Sequence, residues 1–350
     1  MNSIARMPLV AMAAMMSLPS SWAMAQDGAV PIKISYQPAL YGVSIEIATD
    51  KGWWKEIGLE PSFTIFPSGA PQIAAAAAGD WDVGTLGAPP AVLGASRIDL
   101  KTIGLATEEG EANVLLAPKD KVAELKASPE SIKGQSILIP TNSTAEFAAW
   151  NCLRTYGLAI DDVQWVNLAP PQLVAAFANG TGGLAGIFTP YAYTLNAKSG
   201  AVKLCSAKDA GLTLVSAIVA RPQYIEEHKD AVAKFMATYL RAVTWQRQNP
   251  DEAVGYLKAF YERNGVQLDE TYLRQELTTD RKQYTLEEQL KTFARDGKPS
   301  EIDQAFDTFE DYLITKGTLQ SKIDPGSFVT DDVLKQIAAD PKLKAWAELK

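Results

Sequence analysis

Two small-residue loops, Pro67-Ser68-Gly69-Ala70-Pro71 and Gly87-Ala88-Pro89-Pro90, carry the residue types best suited to holding a small polar molecule. The first opens an alanine-rich helix. The second follows a Gly-Asp turn and a short apolar strand, and opens another helix. A helix start leaves backbone N–H groups without partners, and glycine, alanine and proline keep bulky side chains away from them. That combination receives an anionic or polar ligand, and no nucleophile with a base stands beside it. The spacing points to binding and not to catalysis.

The elements that must position these loops follow from periodicity. Ile32 to Ser35 alternates as a strand, Gln37 to Gly42 forms a loop, a helix is expected over Val43 to Trp54, and Glu60 to Phe66 is a second strand. With Lys101 to Leu105, strand and helix alternate throughout this half, which predicts a mostly parallel sheet covered on both faces. Asn113 to Ala117 is a further strand. Ser136 to Pro140 then restarts the same order, with a loop at Thr141 to Thr144, a helix from Ala145 to Tyr156, and strands at Val163 to Val166 and Leu184 to Phe188. The fold class is α/β, with two lobes. Leu212 to Ala220 reads as a segment leaving the second lobe, and the helical stripes after Glu226 read as core faces that wrap back on the first. The expected division is a leader over residues 1–25, lobe 1 over 26–110 and 221–350, and lobe 2 over 111–220. Crossings near 107–114 and 217–224 make a two-strand hinge.

Ligands in open α/β sheets bind outside the carboxyl ends of the strands. That rule gathers Gln37 and Tyr41, Ser68-Gly69-Ala70, Gly87-Ala88-Pro89, Thr141-Asn142-Ser143-Thr144 and Thr189-Pro190-Tyr191 around one cleft between the lobes. Tyr41, Phe188 and Tyr191 supply apolar walls. These loops contain no arginine, which counts against a dedicated bidentate clamp while leaving an anion feasible through helix starts and hydroxyls. Glu108, Glu109 and Glu111 cluster at the first crossing. They read either as a solvated acidic turn or, for Glu108 or Glu109, as the partner of a cationic group on a zwitterion such as an aminosulfonate.

Composition bounds the rest. The first 25 residues hold one charge, Arg6, an apolar run from Pro8 to Met16, and Ala23-Met24-Ala25 before Gln26, the pattern of a cleaved secretory signal peptide. Position 26 is not cysteine, so no lipid anchor is expected there, and the mature protein is expected in the periplasm. Loss of Arg6 takes the formal charge from −8 to −9, and no basic stripe suits nucleic acid. Cys152 and Cys205 fit either a disulfide in an oxidising compartment or two small buried residues. The single histidine, His228, lies in the charged stretch Glu226 to Asp230, which leaves no base for Ser-His or Cys-His chemistry and no metal cluster. No catalytic residue, metal or cofactor is expected.

Ile32 to Gly42, Gly52-Trp53-Trp54-Lys55-Glu56-Ile57-Gly58-Leu59-Glu60 and Gly79-Asp80-Trp81-Asp82-Val83-Gly84 resemble the solute-binding proteins of ABC importers for nitrate, sulfonate, taurine and thiamine-pyrimidine compounds. The resemblance covers nearly the whole chain beyond the leader. It implies a type II periplasmic binding protein, a monomer whose lobes close over a small organic anion or zwitterion and present it to a membrane permease. Carried over, the binding loops fall at Gln37 to Tyr41, Ser68 to Ala70, Gly87 to Pro89 and Thr141 to Thr144. The second-lobe motif, usually an aromatic, an acid, Pro and Tyr, is Phe188-Thr189-Pro190-Tyr191 here, and the neutral Thr189 removes a possible cation partner. A sulfonate or taurine-like ligand is favoured over an aromatic carboxylate, nitrate or a pyrimidine. A pyrimidine synthase of the same fold is the enzymatic alternative, but this chain lacks the cysteine-rich segment and histidine of those enzymes. A purely sensory role would use the same fold.

Overall fold

The computed structural model describes residues 28–350; the leader expected over residues 1–25 lies outside them. Eleven strands among the described residues form two sheets. One contains β1 (Val30–Tyr36), β2 (Leu59–Ile65), β3 (Val83–Gly87), β4 (Lys101–Glu108), β10 (Val215–Ala220) and β11 (Lys282–Gln283), in the order β11-β4-β10-β3-β1-β2. The other contains β5 (Asn113–Ala117), β6 (Ser136–Ile139), β7 (Gln164–Asn167), β8 (Leu184–Phe188) and β9 (Val202–Ser206), in the order β7-β6-β8-β5-β9. Every residue of β3, β5, β8 and β10 is buried, as continuous apolar runs require. The edges β2 and β7 are largely exposed, and Phe63, Ile65 and Val166 face solvent there.

Both sheets are mixed, where the alternation of strand and helix predicted mostly parallel pairing in the first. β1 pairs in parallel with β2 and β3, and β6 with β7 and β8. β10 runs antiparallel between β3 and β4, and β5 runs antiparallel between β8 and β9. These two are the first strands after the chain has crossed between the sheets, so each enters its sheet from the opposite end.

Sheet membership also moves the second crossing. Residues 215–220, expected in lobe 2, belong to the six-stranded sheet, so the crossings are residues 109–112 and 207–214 and not 217–224. Their apolar run is the core of a central strand, which burial on both faces explains better than a linker. The crossings bond to each other: Glu109 N donates to Leu214 O at 2.8 Å and Lys208 N to Gly110 O at 3.0 Å.

After β10 the chain is chiefly helical. Helix Lys229–Gln248 packs on helix Leu40–Asp50, and its Phe235 stacks on Trp54 of the short helix Trp53–Glu56 at 6.0 Å between ring centroids. Helix Glu301–Thr315 starts in a capping box at Ser300 and packs on helix Ala88–Ile98. It also reaches helix Thr144–Thr155 of the other sheet's layer. Phe147 meets Phe309 edge-on at 4.6 Å, Tyr312 Oη donates to Glu146 Oε2 at 2.6 Å, and Lys316 Nζ lies 2.6 Å from Glu146.

Cys152, on that helix, and Cys205, on β9, form a disulfide with Cα atoms 6.0 Å apart. The bond spans 53 residues, and closing a loop of that size in the unfolded chain is worth up to about 4 kcal/mol. Reduction should therefore lower stability to urea by about 2–4 kcal/mol. The Cys152→Ala/Cys205→Ala protein should show the same lower midpoint with and without reductant.

Candidate functional site

Three helix starts converge where the two sheets face each other. Helix Gly69–Ala77 contributes Gly69, helix Ala88–Ile98 contributes Gly87 and Pro90, and helix Thr144–Thr155 contributes Ser143 and Thr144. With Gln37, Tyr41, Glu109, Phe188 and Arg281 they enclose a cavity of about 10 Å³, room for about one water. The lobes meet tightly across it. A methyl group added at Gly87 would stand 2.8 Å from Thr144 Cγ2 of the other lobe; within lobe 1, one at Gly69 would stand 2.4 Å from Pro90. Glycine at 87 is thus required by close approach of the opposite lobe.

Eight of the residues expected from sequence line this cavity: Gln37, Tyr41, Gly69, Gly87, Glu109, Ser143, Thr144 and Phe188. The others lie around it. Ser68 precedes the first helix and Ala70 is exposed, so neither lines it. Ala88 and Pro89 are buried in the first turn of their helix. Thr141 N donates to Asn167 Oδ1 at 3.1 Å, and Asn142 takes a left-handed conformation (φ 54°) while accepting a bond from Lys316. Tyr191 packs edge-on against Phe188 from behind, and burial pushes its phenol up to about 12. Glu108 does not reach the cavity; its Oε1 accepts from Gly110 N at 2.8 Å. Glu111 faces Lys203 and Lys208 instead.

Gln37 is held by a buried network. Its Nε2 donates to Gln72 Oε1 at 2.8 Å, and Gln72 Nε2 donates to Ser35 Oγ at 2.8 Å and Thr85 O at 3.2 Å. Tyr41 Oη donates to Gln37 Oε1 at 3.3 Å. Burial, and then the Glu109 charge, pushes the Tyr41 phenol well above its ordinary range. Across the cleft, Ser143 Oγ donates to Pro140 O and accepts from Glu146 N, which fixes the start of its helix.

The expected loops contain no arginine, but the fold brings Arg281 to the cleft from outside them. Its side chain is 1% exposed. Nη1 pairs with Glu109 Oε2, Nε lies 2.9 Å from Glu276 Oε1, and Nη2 donates to Thr189 O at 3.2 Å. Thr189 Oγ1 also accepts from Nε at 3.4 Å, so this neutral residue orients the cation. The guanidinium lies 5.6 Å from the Tyr41 ring centroid. Burial works against the Arg281 charge, but Glu109 and Glu276 outweigh it and hold its pKa above the ordinary value. Burial pushes the Glu276 carboxyl up, with Arg281 opposing, and Glu276 Oε2 has no hydrogen-bond partner.

No local motif announced Arg281, because it stands 172 residues from Glu109 in sequence. A π-helical turn, Glu276–Asp280, ends just before it, and β11 then pairs Lys282 with Glu108. That pairing sets Arg281 beside the first crossing. Pro90, the last residue of the second small-residue loop, also lines the cavity, although only Gly87 to Pro89 were expected to contribute.

Gly87→Val should keep the lobes from meeting at Thr144. Ligand affinity is expected to fall at least about tenfold while circular dichroism stays unchanged. Comparison with known proteins gives the family and the fold. A family profile described as NMT1/THI5 like matches residues 42–253. A Brucella abortus (strain 2308) protein, assigned by name only as a binding protein, is 28% identical over 307 residues, 87% of this chain and 91% of its own. The taurine-binding periplasmic protein of Escherichia coli (strain K12) is 28% identical over 229 residues, 65% of this chain and 69% of its own. The alkanesulfonate-binding protein SsuA from Xanthomonas axonopodis pv. citri, solved bound to MOPS, superposes with a TM-score of 0.69 at 19% identity, over 87% of this chain and 99% of that one. The shared fold is that of the periplasmic binding proteins, and the chain belongs to the NMT1/THI5-like family.

Proposed function

We propose that this protein is the solute-binding component of an ABC importer, which captures a small organic anion in the periplasm and delivers it to a membrane permease. A sulfonate or taurine-like compound is the favoured ligand. The observation that carries this reading is Arg281, a buried guanidinium facing the interlobe cavity beside three helix starts. An arginine fork and oriented backbone N–H groups together suit a tetrahedral oxyanion. The names of the Escherichia coli and Xanthomonas relatives support the sulfonate class.

The cavity as it stands is too small for such a ligand, so capture requires the crossings at 109–112 and 207–214 to flex and the lobes to part. Tyr41 and Phe188 then bracket the ligand from opposite lobes, which also suits an aromatic carboxylate or a pyrimidine and gives nitrate little to use. Catalysis is not part of this reading. His228 is exposed and packs at a tilt against the Tyr224 ring, 4.7 Å between centroids, and it does not line the cavity.

A thermal-shift screen of taurine, alkanesulfonates, aromatic carboxylates, nitrate and pyrimidines tests the function directly. Ligand at 100 times Kd adds about 2.7 kcal/mol of stability, a clear rise in midpoint; no shift with any small anion overturns the proposal. Arg281→Lys keeps the charge and loses the fork. It should weaken the best ligand by about 10- to 100-fold, read by calorimetry.

A further inference from the structure

Glu109 lies on the crossing between β4 and β5, 2% exposed, and lines the cavity while its carboxylate holds Arg281 Nη1. An anion that reaches the guanidinium from the cavity meets a carboxylate already in place. Among the described residues, Arg281 is the only cation that lines the cavity. Tyr41, Tyr239 and Tyr261 face Arg281 from three helices, and burial, first among the causes, pushes each phenol up. Glu276, Asp280 and Glu108 are further acids. Lys208 and Lys316 are committed to Glu111 at 3.4 Å and Glu146 at 2.6 Å. An anion added to this set while Glu109 remains ionised places two like charges on one guanidinium in a buried cavity, where repulsion is little screened.

We propose that Glu109 balances charge in the cleft: an anion takes Arg281 only together with one positive charge, brought by the ligand as an ammonium or taken from solvent by Glu109 as a proton. This rests on the reading of the cleft as an anion site. For a ligand with no cationic group, Arg281 Nη1 passes from Glu109 to the anion, and the Glu109 carboxylate becomes a carboxylic acid that donates to the ligand or to a neighbouring oxygen. No bond within the ligand changes. For a zwitterion, Glu109 stays ionised and turns to the ammonium. Sum of charge is the same before and after in both cases. Glu109 N is bonded to Leu214 O of the other crossing, so the exchange takes place at the hinge itself.

Calorimetry of the intact protein at pH 7, in two buffers of different ionisation enthalpy and neither a sulfonate, counts the protons. Ethanesulfonate should bind with uptake of about one proton and taurine with about none. Above that pH the affinity for ethanesulfonate should fall about tenfold per unit and that for taurine should stay level. Glu109→Gln should abolish proton uptake, flatten the ethanesulfonate profile and weaken taurine. Equal proton counts for the two ligands, or uptake that survives in Glu109→Gln, would overturn the proposal while leaving the anion site standing. Absence of binding by every anion overturns both.

Discussion

The ion cluster of Arg281 with Glu109 and Glu276 is the constraint around which the closed structure is arranged. All three side chains are nearly inaccessible, and a buried charge persists only when paired and hydrogen-bonded. Each member comes from a different part of the chain: the hinge, a π-helical turn and the residue before a two-residue edge strand. The cluster also fastens Thr189 of the second lobe through its hydroxyl and its carbonyl. Hinge, C-terminal segment and second lobe thus meet on one guanidinium.

The architecture around that point is a duplication. The order β2-β1-β3-β10-β4 in one sheet is repeated as β7-β6-β8-β5-β9 in the other, with each crossing strand inserted antiparallel at the same place. Strand ends and helix starts of the two lobes therefore face each other, and small residues can meet across the gap. The closed state is held on one side by the cluster and on the other by Glu146, which takes Tyr312, Lys316 and the N–H of Asn142 in the loop before its helix. Since Glu146 sits in the first turn of the helix that presents Ser143 and Thr144, the second lobe's binding surface and its closing contact share one helix start.

Much of this was legible in the chain. Strand and helix alternate with clear periodicity, and loops of small residues at Ser68 to Ala70 and Gly87 to Pro89 mark helix starts because nothing bulky fits there. Such local signals placed eight cavity residues. They failed where the decisive partner was distant. The run at 215–220 looked like an exit from the second lobe because an apolar strand carries no mark of which sheet it will join. Glu108 and Glu109 were indistinguishable as neighbours; alternation along the chain end of β4 turned one toward Gly110 and the other into the cavity. Cysteine spacing alone left the pairing of Cys152 and Cys205 open, since only the packing of the helix on β9 sets their separation.

The sequence by itself determined the α/β class, the two-lobed repetition, and the positions of the glycine-rich helix starts, because each follows from backbone sterics and burial periods within about twenty residues. The tertiary structure decided the electrostatics. Whether the cleft holds a cation depended on a strand pairing of only two residues, Lys282 with Glu108 and Gln283 with Thr107, that carries Arg281 to a hinge 172 residues away. Charge acts through space and not along the chain, so the group that dominates the cleft was invisible until the fold brought it there.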